Sequence, residues 1–167
     1  MKKPRSLWLW ISESRLVAYA LMLLALGLLF RSHYRLTLVS GDSMAPTLKG
    51  GYVLLIDKSA YSRAEPERDD IIVMRYSNGL VVKRIVGLPG EDVEVRHGTL
   101  YVNGSAVEES HPLEPGNLDV EKGNLSSGDF ATLGDNRAVP SVLAIHPIAT
   151  KADILGKVVL SVGKHLF

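Results

Sequence analysis

Two positions in this sequence have the residue types and surroundings for covalent chemistry. The first is Lys83, in the run Leu80-Val81-Val82-Lys83-Arg84-Ile85-Val86. In a strand, alternate residues share a face. Lys83 then falls with Val81 and Ile85, and Arg84 with Val82 and Val86. Both faces are apolar apart from one cation each. Burying a charge is costly. Lysine can escape by losing its proton; arginine cannot. Lys83 is therefore the cation that burial would turn into a base. At an ordinary pKa near 10.4, about one lysine in 2,500 is neutral at pH 7. Lowering the pKa by about three units makes neutral amine common, at a cost of about 4 kcal/mol. The alternative is an edge strand whose lysine snorkels to water and stays charged. The second position is Ser43, in Ser40-Gly41-Asp42-Ser43-Met44-Ala45-Pro46-Thr47-Leu48. It follows a strand-like run and precedes a proline turn. Such a site exposes a hydroxyl and free backbone N–H groups, as an oxyanion site requires. A serine needs an adjacent base to act as a nucleophile. Taken alone, it also reads as an ordinary turn serine.

Positioning these two groups falls to a β-rich domain. Strand-type segments recur at 36–40, 52–57, 71–76, 80–86, 92–96, 99–102, 129–133 and 155–162, divided by Gly, Pro, Asn and Asp punctuation. Residues 101–104, Tyr-Val-Asn-Gly, read as a strand entering a tight turn. Many short strands with few helices predict a barrel-like or folded antiparallel sheet. Residues 105–124 are polar, with two prolines and two glycines, and read as a surface excursion.

Ahead of this lies a different kind of segment. Residues 16–30, LVAYALMLLALGLLF, carry no charge and are bracketed by Arg15 and Arg31. As a helix this run covers about 22 Å against about 30 Å of hydrocarbon. The flanking arginine stems and Ser12 to Ser14 can extend it. Trp8, Trp10 and Tyr34 suit the two interfaces. A cleaved leader needs a small-x-small site, but Arg-Ser-His-Tyr-Arg follows the run. A buried core helix is the other alternative to an uncleaved membrane anchor. Lys2, Lys3, Arg5 and Arg15 precede the segment and Arg31 and Arg35 follow it, which favours a cytoplasmic N-terminus. The expected organisation is residues 1–35 as N-terminus and anchor, and 36–167 as an exported catalytic domain.

Composition narrows the chemistry further. The 167 residues hold 19 Lys+Arg and 18 Asp+Glu, which gives no electrostatic footprint for nucleic acid. There is no cysteine, so thiol nucleophiles, disulfides and thiolate metal sites are excluded. His33, His97, His111, His146 and His165 form no H-x-x-x-H or H-E-x-x-H pattern, and are expected in surface or packing roles. No metal and no cofactor is expected.

Three words occur in order behind the apolar segment. They are Gly-Asp-Ser-Met-Ala-Pro-Thr-Leu at 41–48, Lys-Arg-Ile-Val-Gly-Leu-Pro-Gly-Glu at 83–91 and Gly-Asp-Asn-Arg at 134–137. Leu-Tyr-Val-Asn-Gly at 100–104 lies between the last two. The chain resembles bacterial type I signal peptidase over most of its length after about residue 36, and in the anchor. The resemblance implies a mostly β, coiled antiparallel sheet domain with one N-terminal transmembrane helix. It implies Ser43 as nucleophile, Lys83 as general base and the Ser43 N–H as an oxyanion donor. Some members add a serine hydroxyl where this chain has Gly41, so a backbone-only hole is implied. Asp42, Gly134, Asp135, Asn136 and Arg137 fall in supporting turns. Met44, Leu48 and Val82 match positions lining small apolar pockets for alanine-like residues. The implied partners are preproteins bearing signal peptides, and the lipid bilayer of the bacterial cytoplasmic membrane.

The resemblance breaks after Arg137. The family usually continues Asp-x-Ser-x-Asp-Ser-Arg, then an aromatic and a glycine. Here the chain reads Ala-Val-Pro-Ser-Val-Leu-Ala-Ile-His-Pro. A gap-free match puts Pro140 at the supporting serine, Val142 at the aspartate, Ala144 at the arginine and Pro147 at the glycine. Ser141, one residue along, is the available hydroxyl. Three functions follow from these words: an active endopeptidase, a catalytically weak membrane factor for a dedicated client, or a self-cleaving Ser/Lys regulator. The anchor, where a regulator would carry a DNA-binding segment, argues against the last.

Overall fold

The computed structural model describes residues 7–139 and 148–163, with side chains from Arg15 onward. The chain divides into two compact units, 1–34 and 35–167. The first contains α1, Leu7–His33. Its 27 residues give about 40 Å of helix. Within it, Arg15–His33 is long and apolar enough to cross a membrane. The helix thus runs beyond both ends of the uncharged run, which removes the shortfall computed for residues 16–30. Its described leucines are exposed. Phe30 and Tyr34 stack at its end, ring centroids 5.1 Å apart.

The second unit is built from antiparallel strands. β1 (Tyr34–Leu38), β2 (Val53–Asp57), β3 (Ile71–Tyr76) and β4 (Gly79–Gly87) come first. β5 (Asp92–Arg96), β6 (Thr99–Val102), β7 (Ser105–Ala106) and β8 (Val120–Asn124) follow. β9 (Asp129–Leu133), β10 (Ile148–Thr150) and β11 (Ile154–Val162) close the chain. Among the described residues, seven strands form one sheet in the order β1-β2-β11-β3-β4-β9-β10, and four form another in the order β7-β6-β5-β8. Period-two alternation drives this arrangement. In β2, Leu54 and Ile56 are fully buried while their neighbours are less so; in β5, Val93 and Val95 are buried. One apolar cluster joins Met44, Leu48, Leu54, Ile56 and Val73. A second joins Ile72, Met74, Ile85 and Phe130, and a third joins Val86, Val93, Val95, Leu100 and Leu133.

β4 settles one open alternative. It pairs with β3 on one side and β9 on the other, with Ile72 opposite Lys83 and Leu133 opposite Arg84. It is an interior strand, and the snorkelling edge lysine is excluded: Lys83 is 5% exposed and Arg84 6%. The Asn103-Gly104 turn is observed between β6 and β7, with both residues at positive φ (51° and 81°). Residues 105–124 are mostly exposed, as expected of a surface excursion, but they are not without regular structure. They contain β7 and β8, and Leu118 is buried in the core around Val95 and Leu100. Glu114 pairs with Asn136 in a parallel bridge.

Candidate active site

Ser43 lies in a turn pinned from below. Met44 and Leu48 are each 1% exposed and anchor the turn in the core. Their backbones close it: Leu48 N–H donates to Met44 O (2.8 Å), and Ala45 N–H to Asp42 O (3.0 Å). Gly41 enters the turn at φ +95°, a conformation that side chains rarely adopt. The Asp42 carboxylate accepts from Gly50 N–H at 3.0 Å. Ser43 is left half-buried at the surface of this platform.

Residues 134–137 supply the opposite wall, and each has a distinct duty. Gly134 packs on the Ser43 carbonyl so closely that a Cβ there would collide with it, and that Cβ would also come within 3.3 Å of Lys83 Nζ. Asp135 is buried and receives a two-pronged bond from Arg84, at 2.9 Å from Nε and 2.7 Å from Nη2. Asn136 donates its N–H to Ser43 O (3.1 Å) and its amide to Asp42 O (3.0 Å). Arg137, fully buried, donates to Gly134 O, Gly98 O and Glu109 Oε1 at 3.2, 2.7 and 2.5 Å. This turn holds the two halves of the site together.

Ser43 and Lys83 line one cleft of about 210 Å³. Gly41, Gly134 and Asn136 contribute polar backbone or side-chain atoms to it; Val39, Met44, Val73 and Val82 form its apolar wall. Burial pushes the Lys83 amine below the ordinary lysine pKa, and the Asp135 carboxylate pulls weakly the other way. Asp135 is already held by Arg84, which limits that opposing pull. The arrangement offers a hydroxyl, an amine with a reason to be neutral, and backbone amides on one wall.

Most residues singled out from sequence meet here. Gly41, Ser43, Met44, Val82, Lys83, Gly134 and Asn136 line the cleft, and Asp42, Asp135 and Arg137 stand behind it. Leu48 does not join the lining; it lies in the core below. Ser141, Pro140, Val142, Ala144 and Pro147 lie outside the described residues. Val139, from the divergent segment, lines the cleft. Sequence reasoning missed Glu109, His111 and Glu114. They sit in the stretch read as an excursion, and their contacts lie about 20 to 40 residues away along the chain, so no local pattern announces them.

Known proteins resemble this chain over most of its length. The family model described as "Signal peptidase, peptidase S26" matches residues 10–160. A signal peptidase I of Bacillus amyloliquefaciens is 35% identical over 81% of this chain and 74% of its own length. Signal peptidase I U of Bacillus subtilis is 33% identical over 82% of this chain and 77% of its own. A crystal structure of a signal peptidase I from Enterococcus faecalis is 27% identical, with a TM-score of 0.44, over 56% of this chain and 97% of that one.

Proposed function

From the premise that the chain belongs to the signal peptidase family, peptidase S26, we propose that it cleaves signal peptides with a Ser43/Lys83 dyad. Neutral Lys83 Nζ takes the proton of Ser43 Oγ as the oxygen attacks the scissile carbonyl. The carbonyl oxygen, now negative, is held by backbone N–H groups, that of Ser43 among them. Lys83 passes its proton to the leaving amine, and the acyl-enzyme forms. A water then gives a proton to Lys83 and attacks the ester; Lys83 returns that proton to the departing Ser43 Oγ, releasing the acid and restoring both residues. This scheme calls on no metal or cofactor.

One observation carries the reading: a buried amine and a turn serine line the same cleft, with the bare face of Gly134 against both. The cleft, about 210 Å³, is below the roughly 300–1,000 Å³ of drug-sized sites. That size supports small residues beside the cut. The apolar helix fits a membrane-anchored peptidase. We further place its N-terminus in the cytoplasm and the β domain on the outer side of the bacterial cytoplasmic membrane, from the charge bias across the helix. Its substrates are then preproteins that present a signal peptide at the bilayer. The test is cleavage of a signal-peptide-bearing preprotein by the full chain in detergent, with Ser43→Ala as control. Cleavage by wild type that is abolished in Ser43→Ala supports the dyad. A folded wild type without activity would favour the alternative of a weak, client-binding factor, which the altered sequence after Arg137 motivates.

A further inference from the structure

His111 is a buried histidine that the proposed chemistry does not use. Its side chain is 9% exposed, and both ring nitrogens are buried without a hydrogen-bond partner among the described residues. Three carboxylates surround it. Nε2 lies 3.4 Å from Glu109 Oε1 and 3.5 Å from Asp135 Oδ1; Nδ1 lies 3.6 Å from Asp69 Oδ1. These separations exceed hydrogen-bond length, so the ring acts by packing and by its field. Arg84 ties down Asp135 and also donates to the Asp69 carbonyl at 3.0 Å. Arg137 ties down Glu109. The groups facing the ring thus come from the β2–β3 connection, from β4, from the turn after β9 and from its own segment.

We propose that His111 is a positioning residue for the Ser43/Lys83 pair: it braces Asp135, and through it the turn of residues 134–137 against which both groups rest. The proposal rests on the Ser43/Lys83 reading given above. The path is short. His111 faces Asp135; Asp135 follows Gly134, which packs on Ser43 O and stands by Lys83 Nζ; Asn136 bonds Ser43 O. The segment carrying His111 is fastened to the same turn by backbone bonds, Glu114 N–H to Asp135 O (3.0 Å) and Arg137 N–H to Glu114 O (2.9 Å).

The ring's charge follows from its surroundings. Carboxylate oxygens accept, so an N–H is the ring group that suits them. A neutral imidazole has one N–H. Two carboxylates converge on Nε2, so the proton belongs there; Nδ1 faces Asp69, whose side chain is 52% exposed and open to water. Burial, and then Arg84, hold the ring below the ordinary histidine pKa, against Asp135, Glu109 and Asp69. The lowered pKa favours the neutral ring, and two carboxylates at Nε2 favour the tautomer that carries its N–H on the Asp135 side. That dipole screens a carboxylate that raises the Lys83 pKa. Losing it would both loosen the turn and make Lys83 harder to deprotonate.

The experiment compares the full chain in detergent micelles with His111→Ala, His111→Phe and His111→Gln. Phe fills the space without an N–H; Gln keeps one. If Ala fails to fold, Phe and Gln still decide. Two readouts are taken: kcat and KM on a signal-peptide-bearing preprotein, and the Lys83 titration by NMR of 13C-labelled lysine, assigned by its loss in Lys83→Arg. Ala and Phe should lower kcat about tenfold with KM little changed, equivalent to about 1.4 kcal/mol on the barrier. They should move the Lys83 midpoint up by about half a unit or more, and Gln should restore both. An unchanged Lys83 midpoint in folded Ala and Phe variants would overturn the proposal, as would a Phe variant equal to wild type. Because the titration needs no turnover, an inactive wild type with a shifting Lys83 would sink the dyad reading and leave the brace standing.

Discussion

Gly134→Ala tests how tightly the site is assembled. The added Cβ would overlap the Ser43 carbonyl oxygen and sit 3.3 Å from Lys83 Nζ. The first obstacle is backbone, which cannot swing aside as a flexible side chain can. Relief requires the turn and the Ser43 loop to part by about 1 Å, and such a misplacement costs on the order of a hundredfold in rate. The Asn136 N–H bond to Ser43 O, 3.1 Å long, stretches with it. That adds to an overpacking cost of about 1–3 kcal/mol. For a domain of this size, Tm falls by roughly 2–4 °C per kcal/mol. The expected outcome is a folded protein with kcat/KM down about a hundredfold and a Tm lower by several degrees, read by preprotein cleavage and thermal melting. A Gly134→Ala enzyme with near-wild-type kcat/KM would refute the reasoning, because it would mean that Ser43 is not held by this turn. A variant that loses stability but keeps full activity would say the same.

Other expectations follow from the same geometry. Ser43→Ala and Lys83→Ala should each abolish preprotein cleavage with the fold retained, and Lys83→Arg should fail as well because arginine stays protonated; residual turnover near wild type in either alanine variant ends the dyad. Activity should rise with pH through a lysine pKa below 10.4, measured as kcat/KM against pH; a rising limb above pH 10 would show that burial leaves the amine unactivated. Stability carries the same sign: Lys83 binds fewer protons folded than unfolded between its lowered pKa and about 10.4, so its contribution improves as pH rises through that window, visible as a shift in urea midpoint relative to Lys83→Met. Asp135→Asn strips the partner from a guanidinium that is 7% exposed, and should cost about 3–5 kcal/mol; an unchanged urea midpoint would contradict the buried pair. A chain lacking residues 1–35 should fold and cut soluble peptides but process membrane-delivered preproteins poorly, since the helix raises local substrate concentration; an unfolded product would show that α1 contributes to the core.

How much of this was legible follows from where each signal resides. β3, β5, β6 and β9 fall at the boundaries that alternation and turn residues mark, because their inward positions carry Val, Ile, Leu, Met or Phe and their ends carry Gly, Asp or Asn. β7, β8 and β10 escaped. β8, Val-Glu-Lys-Gly-Asn, has one partly buried residue and four exposed ones, and it is a strand because β5 offers it a hydrogen-bonding edge. Such tertiary pairing overrides local propensity. The site divides in the same way. Ser43, Lys83 and residues 134–137 stand in distinctive words, whereas Glu109, His111 and Glu114 acquire meaning only when the chain folds back onto that turn. Leu48 shows the opposite limit: its place in the word suggested a pocket wall, but the tight turn from Met44 sends it into the core.

The two cations of β4 explain why the turn after β9 is placed where it is. Strand alternation sends Lys83 to the cleft and Arg84 to the far face, so burying one buries the other. Arginine cannot shed its charge, and it needs a carboxylate. Asp135 provides one through two bonds, in the residue next to Gly134, which has no side chain to keep the turn away from Lys83. A side chain at 134 would block the approach, and a neutral residue at 135 would strand the guanidinium. Among the described residues, Lys83 is left in the same interior without an ion-pair partner of its own. That asymmetry, one cation neutralised by a partner and its neighbour pressed toward neutrality by burial, is what a single Gly-Asp pair achieves at this point of the sheet.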